Sequence, residues 1–183
     1  YDASKRSTVA AQEAAKLTAP ADPGAADWKL KLYKSTNGRN FELVTHLDVP
    51  GHPNESTLRF RRDGSLMAMV RREGGSQNGW LGTSRAPYTE WKWSETNMRF
   101  GGPNFIELPT GELWAVTRNY VPKAHTVLAK LTDKSIEPVL TFPSGGDNSY
   151  AGLVWREDLL WVSYYSSHEG KTSIYLAKVK PAK

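Results

Sequence analysis

The strongest constraint on this fold is a hairpin pattern that recurs along the chain. In its first copy, two runs of β-forming residues, 57–60 and 66–70, flank the pair Asp63-Gly64. An Asp-Gly pair between such runs is a strong signal for a tight β-turn. Because antiparallel pairing returns the chain to the same end of the sheet, this hairpin places Glu55 beside Arg71.

The same pattern occurs twice more, at 104–118 and at 151–165. Gly64 and Gly111 lie 47 positions apart, as do Arg71 and Arg118, and a further 47 positions lead to Tyr165. Repeats of about 40 to 50 residues with several short strands are typical of β-propellers, in which four-stranded antiparallel sheets, the blades, pack face to face around an axis. Residues at equal repeat positions should then lie along one rim.

The strand pattern divides the chain into repeat units at about 28–47, 55–95, 103–142 and 150–180. Residues 1–27 are interpreted as a strand stub at 1–6, in the middle of a blade, followed by a surface excursion with a short helix at 7–17. Residues 28–183 then form a partial β-propeller of about three and a quarter blades, whereas a closed propeller needs at least four. The predicted fold class is therefore all-β, built of four-stranded antiparallel blades.

Composition supports a globular all-β chain and narrows the possible partners. Of 183 residues, 39% are hydrophobic and 11% are aromatic, and the sequence has no cysteine, so a disulfide framework is excluded. The formal net charge is +5, but the basic residues are scattered without a basic helix or an RNA-binding signature. We therefore expect no nucleic acid as partner, and an anionic small substrate agrees with the charge. No apolar run approaches about 18 residues, so we expect no membrane span either.

The loops on the rim of Glu55 are longer than those on the opposite rim. Tight hairpins are expected at 37–38, 62–65 and 109–111, on the far side from Glu55. The longer loops 48–54, 73–78, 96–103, 143–149 and 166–171 meet at the rim of Glu55, and several contain Gly-Gly pairs. Long loops at one end of a rigid scaffold commonly carry binding sites, so this rim is the candidate site.

Two arginines at equivalent rim positions suit the binding of a carboxylate. In strand parity, Met67, Met69 and Arg71 share one face, and Arg118 occupies the same position in the next repeat. A guanidinium donates paired hydrogen bonds and keeps its charge, so Arg71 and Arg118 together could clamp an acidic group. The alternative for each arginine is an ion pair with a structural acid.

The combined order of these motifs resembles the C-terminal half of the six-bladed β-propeller of sialidases (neuraminidases). The motifs are Asn54-Glu55-Ser56, the Asp63-Gly64 turn, Arg71, Arg118 and Tyr165-Ser166-Ser167, and the resemblance covers about residues 28–180. The turn at 35–41 is similar to the Asp box of that family, with Asn37 in place of the aspartate. There, Phe41 is expected to pack inward.

The resemblance implies a retaining exo-glycosidase that releases a terminal acidic sugar, with sialic acid as the expected sugar. By position, Tyr165 is the expected nucleophile, Glu55 its base, and Arg71 and Arg118 are two of three arginines that bind the sugar carboxylate. A phenol is a weak nucleophile at neutral pH and needs a neighbouring carboxylate to take its proton. The third arginine and the acid/base aspartate of the family come from early blades, so no residue is assigned to them here.

Further substrate-binding candidates on the rim are Asn104, Asp147 and Asn148. Asp147 follows Gly145-Gly146, and its alternative roles are a turn residue or a substitute for the missing acid. The structural alternative for Tyr165 is an aromatic side chain that packs between blades. For Glu55, it is a solvated loop acid.

The four histidines have no metal-ligand spacing and no serine-triad motif is found, so we expect no cofactor and no metal. The functional alternative to the enzyme is a non-catalytic carbohydrate-binding β-propeller. We also expect this chain to need a partner that covers its outer sheet faces, because these faces lack a neighbour. The partner would be either the N-terminal half of the same propeller or a second copy of this chain. A secreted or periplasmic location is implied by the resemblance alone.

Overall fold

The computed structural model describes residues 28–181, which form thirteen β-strands and, within that range, no helix. The strands are β1 (Leu30–Lys34), β2 (Glu42–Leu47), β3 (Pro53–Phe60), β4 (Leu66–Arg72), β5 (Trp80–Ser84), β6 (Lys92–Glu95), β7 (Phe100–Glu107), β8 (Leu113–Asn119), β9 (His125–Leu131), β10 (Ile136–Thr141), β11 (Asn148–Arg156), β12 (Leu159–Ser166) and β13 (Ser173–Val179). The predicted all-β class is confirmed. The predicted stub and helix of 1–27 lie outside the described residues.

The strands form four antiparallel sheets, each in chain order. The hairpin β1-β2 precedes the first blade, β3-β4-β5-β6, the second blade, β7-β8-β9-β10, and the three-stranded third blade, β11-β12-β13. The first strands of the three blades, β3, β7 and β11, contact one another in succession. They therefore form the inner edges of a stack, and β6, β10 and β13 form the outer edges.

Apolar layers between neighbouring sheets hold the stack together. Met67 and Met69 of β4 pack with Phe105 of β7 in the layer between the first and second blades. Trp114 of β8 packs with Val162 of β12 in the next layer. These side chains are buried, as the alternation along each strand predicts, and burying each large one contributes about 1.5–3 kcal/mol.

A bulge lies at the same place in the first strand of every blade. Between paired residues, β3 inserts Asn54-Glu55, β7 inserts Gly102-Pro103 and β11 inserts Tyr150-Ala151, each opposite a single residue of the next strand. A bulge disturbs the ladder and re-aims the side chain that it carries. Three bulges at one rim thus direct three segments of different blades towards the same region.

The hairpin turns form as their sequences predict, with one correction. Gly64 adopts a φ of 76°, and its amide donates to Arg61 O at 3.0 Å. In the turn that resembles an Asp box, Asn37 Oδ1 accepts hydrogen bonds from two following backbone amides, as an aspartate would. The prediction that Phe41 packs inward was wrong, because 63% of Phe41 is exposed.

The third blade has an apolar face that no described sheet covers. Ile174 and Leu176 of β13 are 78% and 63% exposed, and Val154 of β11 lies largely exposed with them. This agrees with the expectation of an uncovered sheet face. The number of blades in the ring stays a prediction. The same holds for the repeat-unit boundaries as domain limits.

Among the described residues, no helix is long and apolar enough to cross a membrane.

Candidate active site

Glu55 is the centre of the rim cluster. From the bulge of β3, its Oε1 lies 2.9 Å from an Nη of Arg71, and its Oε2 accepts a hydrogen bond from Gly102 N at 2.6 Å. The hydroxyl of Tyr150 donates to the same Oε1 in a short contact. The predicted neighbourhood of Glu55 and Arg71 is therefore present. The bulge of β3 supplies the carboxylate, and the bulges of β7 and β11 supply two of its partners.

These contacts set the protonation of the Glu55–Tyr150 pair. Burial raises the pKa of Glu55, but the hydrogen bonds from Tyr150 and Gly102 and the charge of Arg71 outweigh it, so the pKa lies below its usual value. Burial and the Glu55 carboxylate raise the pKa of Tyr150 to about 12. At neutral pH the pair is thus a carboxylate that accepts a hydrogen bond from a neutral phenol.

The backbone that carries Tyr150 is held in an uncommon conformation. Ser149 and Tyr150 have φ values of 106° and 47°, in a region that side chains other than glycine rarely adopt. The Ser149 hydroxyl donates to Gly101 O at 3.2 Å, which ties this segment to the second blade. Backbone strain of this kind clusters at functional sites, because only a strong surrounding framework maintains it.

The Arg118 side chain is anchored through its Nε, and its terminal Nη has two polar side-chain partners. Its Nε donates to Asn148 O at 2.8 Å, and one Nη lies 2.7 Å from Asp147 Oδ1 and 3.2 Å from the hydroxyl of Tyr165. That hydroxyl in turn donates to Asp147 Oδ1 at 2.7 Å. Burial and Asp147 raise the pKa of Tyr165 to about 12, so this phenol is also neutral.

The two tyrosines lie side by side. The rings of Tyr150 and Tyr165 are stacked, with centroids 5.9 Å apart and an angle of 18° between their planes. Each phenol therefore has its own carboxylate, Glu55 for Tyr150 and Asp147 for Tyr165. This differs from the sequence expectation that Glu55 would serve Tyr165.

A third arginine, Arg99, joins the cluster from the long loop before β7. Glu73 connects Arg99 with Arg71, since its carboxylate lies 3.0 Å from an Nη of Arg99 and in short contact with an Nη of Arg71. The Tyr120 ring packs against the guanidinium groups of Arg71, Arg99 and Arg118, with centroid distances of 5.9, 4.3 and 5.8 Å. Burial lowers the pKa of Arg71 and Arg118, but Tyr120 and the neighbouring acids raise it above its usual value.

The structure brings five of the seven sequence candidates together, and these five are Glu55, Arg71, Arg118, Asp147 and Tyr165.

The two asparagines serve the scaffold. Asn148 is fully buried, and its side-chain amide accepts a hydrogen bond from Thr126 and donates to two backbone carbonyls. Asn104 donates to Ala151 O at 2.7 Å and accepts from Arg59 at 3.0 Å, which links the second blade to its neighbours. These contacts link neighbouring blades, and the role of both residues in binding substrate stays a prediction.

Sequence reasoning missed Tyr150, Arg99 and Tyr120. A signal for Tyr150 was present, because the bulges at 54–55, 102–103 and 150–151 recur every 48 residues. Arg99 lies in a loop that was assigned to the correct rim. No group of three or more possible metal-ligating side chains occurs within residues 28–181.

No family model and no curated protein matches this chain. Solved structures do resemble it. A protein of unknown function from Dyadobacter fermentans matches with a TM-score of 0.70 and 16% identity, over 81% of this chain and 44% of that one. An endo-1,4-β-xylanase from Bacteroides thetaiotaomicron has a TM-score of 0.61 and 11% identity over 85% of this chain and 62% of its own, and a thermostable family-43 glycoside hydrolase has a TM-score of 0.60 and 12% identity over 85% and 63%, respectively.

This chain therefore spans less than two thirds of the length of each of these three proteins. At such low identities the likeness concerns the fold, and it does not indicate the sialidase family. The chain shares with these neighbours an all-β fold of antiparallel sheets that follow one another as blades.

Proposed function

We propose that this chain carries the acid-binding and nucleophilic part of a sialidase-type retaining exo-glycosidase that releases a terminal acidic sugar, with sialic acid as the first candidate. The observation that carries the proposal is the Tyr150–Glu55 hydrogen bond at a rim where three arginines gather. Several neighbours of the same fold have names that describe glycoside hydrolases, which supports carbohydrate cleavage as the reaction class.

The arrangement around Tyr150 suits nucleophilic catalysis by a phenol. As the Tyr150 oxygen attacks the anomeric carbon, its proton passes to Glu55 Oε1, the bond from that carbon to the leaving oxygen breaks, and the leaving oxygen takes a proton from water. A covalent glycosyl intermediate forms, which water then hydrolyses with retention of configuration. Tyrosine nucleophiles of this kind are an exception to the usual pair of carboxylates in glycosidases.

Arg118 and Arg71 favour an acidic sugar over a neutral one. Both guanidiniums are largely buried and lie near the same Tyr120 ring, and a buried guanidinium binds a carboxylate through paired, charge-assisted hydrogen bonds. Arg118→Lys keeps the charge but loses the planar fork. We expect this variant to raise the KM for an acidic glycoside more than it lowers kcat.

The test is hydrolysis of a fluorogenic sialoside by the full-length protein between pH 4 and pH 8. We expect turnover in the wild type, a loss of orders of magnitude in Tyr150→Phe, and a much smaller loss in the matched variant Tyr165→Phe. No turnover at any pH would refute the enzymatic proposal. Sialoside binding without hydrolysis, unchanged in Tyr150→Phe, would instead identify a carbohydrate-binding propeller.

A further inference from the structure

The arginine cluster is already compensated by carboxylates of the protein itself. Each guanidinium forms an ion pair with an acid, and the cluster therefore contains three positive and three negative side chains. The arginines are Arg71, Arg99 and Arg118, and the acids are Glu55, Glu73 and Asp147. A ligand carboxylate that enters this cluster gains little net attraction unless one of the three acids moves away.

Two of the acids are fixed by several partners. Glu55 accepts hydrogen bonds from Arg71, Tyr150 and the backbone of Gly102. Glu73 bridges Arg71 and Arg99, and it also accepts from the Asn54 amide at 3.2 Å. Their side chains are only 22% and 24% exposed, so neither can leave without breaking contacts that hold the arginines.

Asp147 differs from them in exposure and in attachment. Its side chain is 68% exposed, whereas the Arg118 side chain that it covers is 14% exposed. Its carboxylate contacts only Arg118 and Tyr165 among the hydrogen-bond partners found within 28–181. The backbone of Asp147 is anchored separately, because its carbonyl accepts from Ser167 N at 3.0 Å, so the side chain can rotate while the loop stays in place.

Arg118 does not depend on Asp147 for its position. Its Nε remains bonded to the carbonyl of Asn148, and the fully buried Asn148 is itself held by Thr126. The guanidinium therefore stays oriented when Asp147 rotates away. Such a preorganised cation under a movable anion is suited to the exchange of one carboxylate for another.

We propose that Asp147 is an internal competitor of the ligand: its carboxylate occupies the position on Arg118 where the carboxylate of an acidic sugar binds, and the sugar displaces it. The inference rests on the proposed function, since it takes Arg118 as part of the carboxylate clamp. Asp147 lowers the affinity for the acidic sugar and balances the charge of Arg118 while the site is empty. Its carboxylate pairs with Arg118 again when the acidic product leaves.

The test compares the full-length wild type with Asp147→Asn by calorimetric titration with N-acetylneuraminic acid and with its methyl ester. Asparagine keeps the shape and can still accept the hydrogen bond from Tyr165, but it gives up the charge. An exposed ion pair is worth at most about 1 kcal/mol, so we expect the free acid to bind up to about fivefold more tightly to Asp147→Asn. The methyl ester, which lacks the charge, should show no such gain.

The matched control is Glu169→Gln, which removes one negative charge from the loop 166–171 on the same rim. Glu169 accepts a hydrogen bond from Tyr175 at 2.8 Å and forms no ion pair with the arginines. Equal affinity of Asp147→Asn and wild type for the free acid, or an equal gain in Glu169→Gln, would overturn the inference. The expected gain without any hydrolysis would refute the enzymatic proposal alone, and no binding of the free acid by any variant would overturn both.

Discussion

The coupling between Glu55 and Tyr150 can be measured as a double-mutant cycle in catalysis. The pKa of Tyr150 is raised to about 12, so at pH 7 only about one phenol in 10⁵ is ionised, and attack on the sugar needs a base at the moment of reaction. A positioned general base contributes about 10²–10⁴-fold in rate. We therefore expect Glu55→Gln and Tyr150→Phe each to lower kcat by about that factor or more.

The double variant should be little worse than the poorer single variant, because a nucleophile and its base act as one unit. The assay is steady-state hydrolysis of a fluorogenic sialoside by the four proteins at one pH, with kcat and KM determined separately. The control cycle uses Asp147→Asn and Tyr165→Phe, the second phenol–carboxylate pair, in which we expect no comparable coupling in kcat. Additive losses for Glu55 and Tyr150, or stronger coupling in the control cycle, would refute the assignment and favour Tyr165 as nucleophile.

Three further predictions concern stability and association. A Cβ on Gly79 would lie 1.9 Å from the buried Phe100 ring, so Gly79→Ala should lower the free energy of unfolding by about 1–3 kcal/mol in urea titrations, and an unchanged midpoint would contradict this packing. Hydrogen bonds from Ser65 lower the pKa of Asp63 to about 2, below its ordinary 3.8. The stability that this shift contributes is present above about pH 4 and is lost as the pH falls towards 2. Asp63→Asn should therefore lose less of its free energy of unfolding over that pH range than the wild type does. The chain alone should self-associate in sedimentation through the open face of the third blade, and Leu176→Lys should reduce this; a stable, cooperatively folded monomer would contradict it.

Local turn chemistry and strand alternation were sufficient to predict most of the sheet architecture. The Asp63-Gly64 and Gly111 turns mark the hairpins, and the alternating residues of β4 and β8 pack on the faces that parity assigns to them. These features depend on neighbours within a few residues or on one repeated spacing. They can therefore be read from the chain without knowledge of how the blades pack.

The partners within the site could not be predicted in the same way. Strict alternation makes Tyr150 the first residue of an ordinary strand. In the structure β11 begins at Asn148 and has a bulge directly after Ser149, which turns Tyr150 towards Glu55, 95 positions away in sequence. Whether an arginine in a loop reaches Arg71 through Glu73 also depends on how two blades pack. The rim was accessible from the sequence, but the choice of tyrosine for each carboxylate depends on bulge geometry.

The repeated bulge also separates what a blade presents from what keeps it folded. At a bulge, the inserted residue is left out of the regular ladder, so its side chain can change with little loss of sheet pairing. Glu55 and Tyr150 occupy such positions, and neither side chain belongs to the apolar layers between blades. Natural variation at these positions can therefore diversify ligand chemistry while the scaffold persists, and the same positions are the ones to randomise when new binding properties are engineered into this fold.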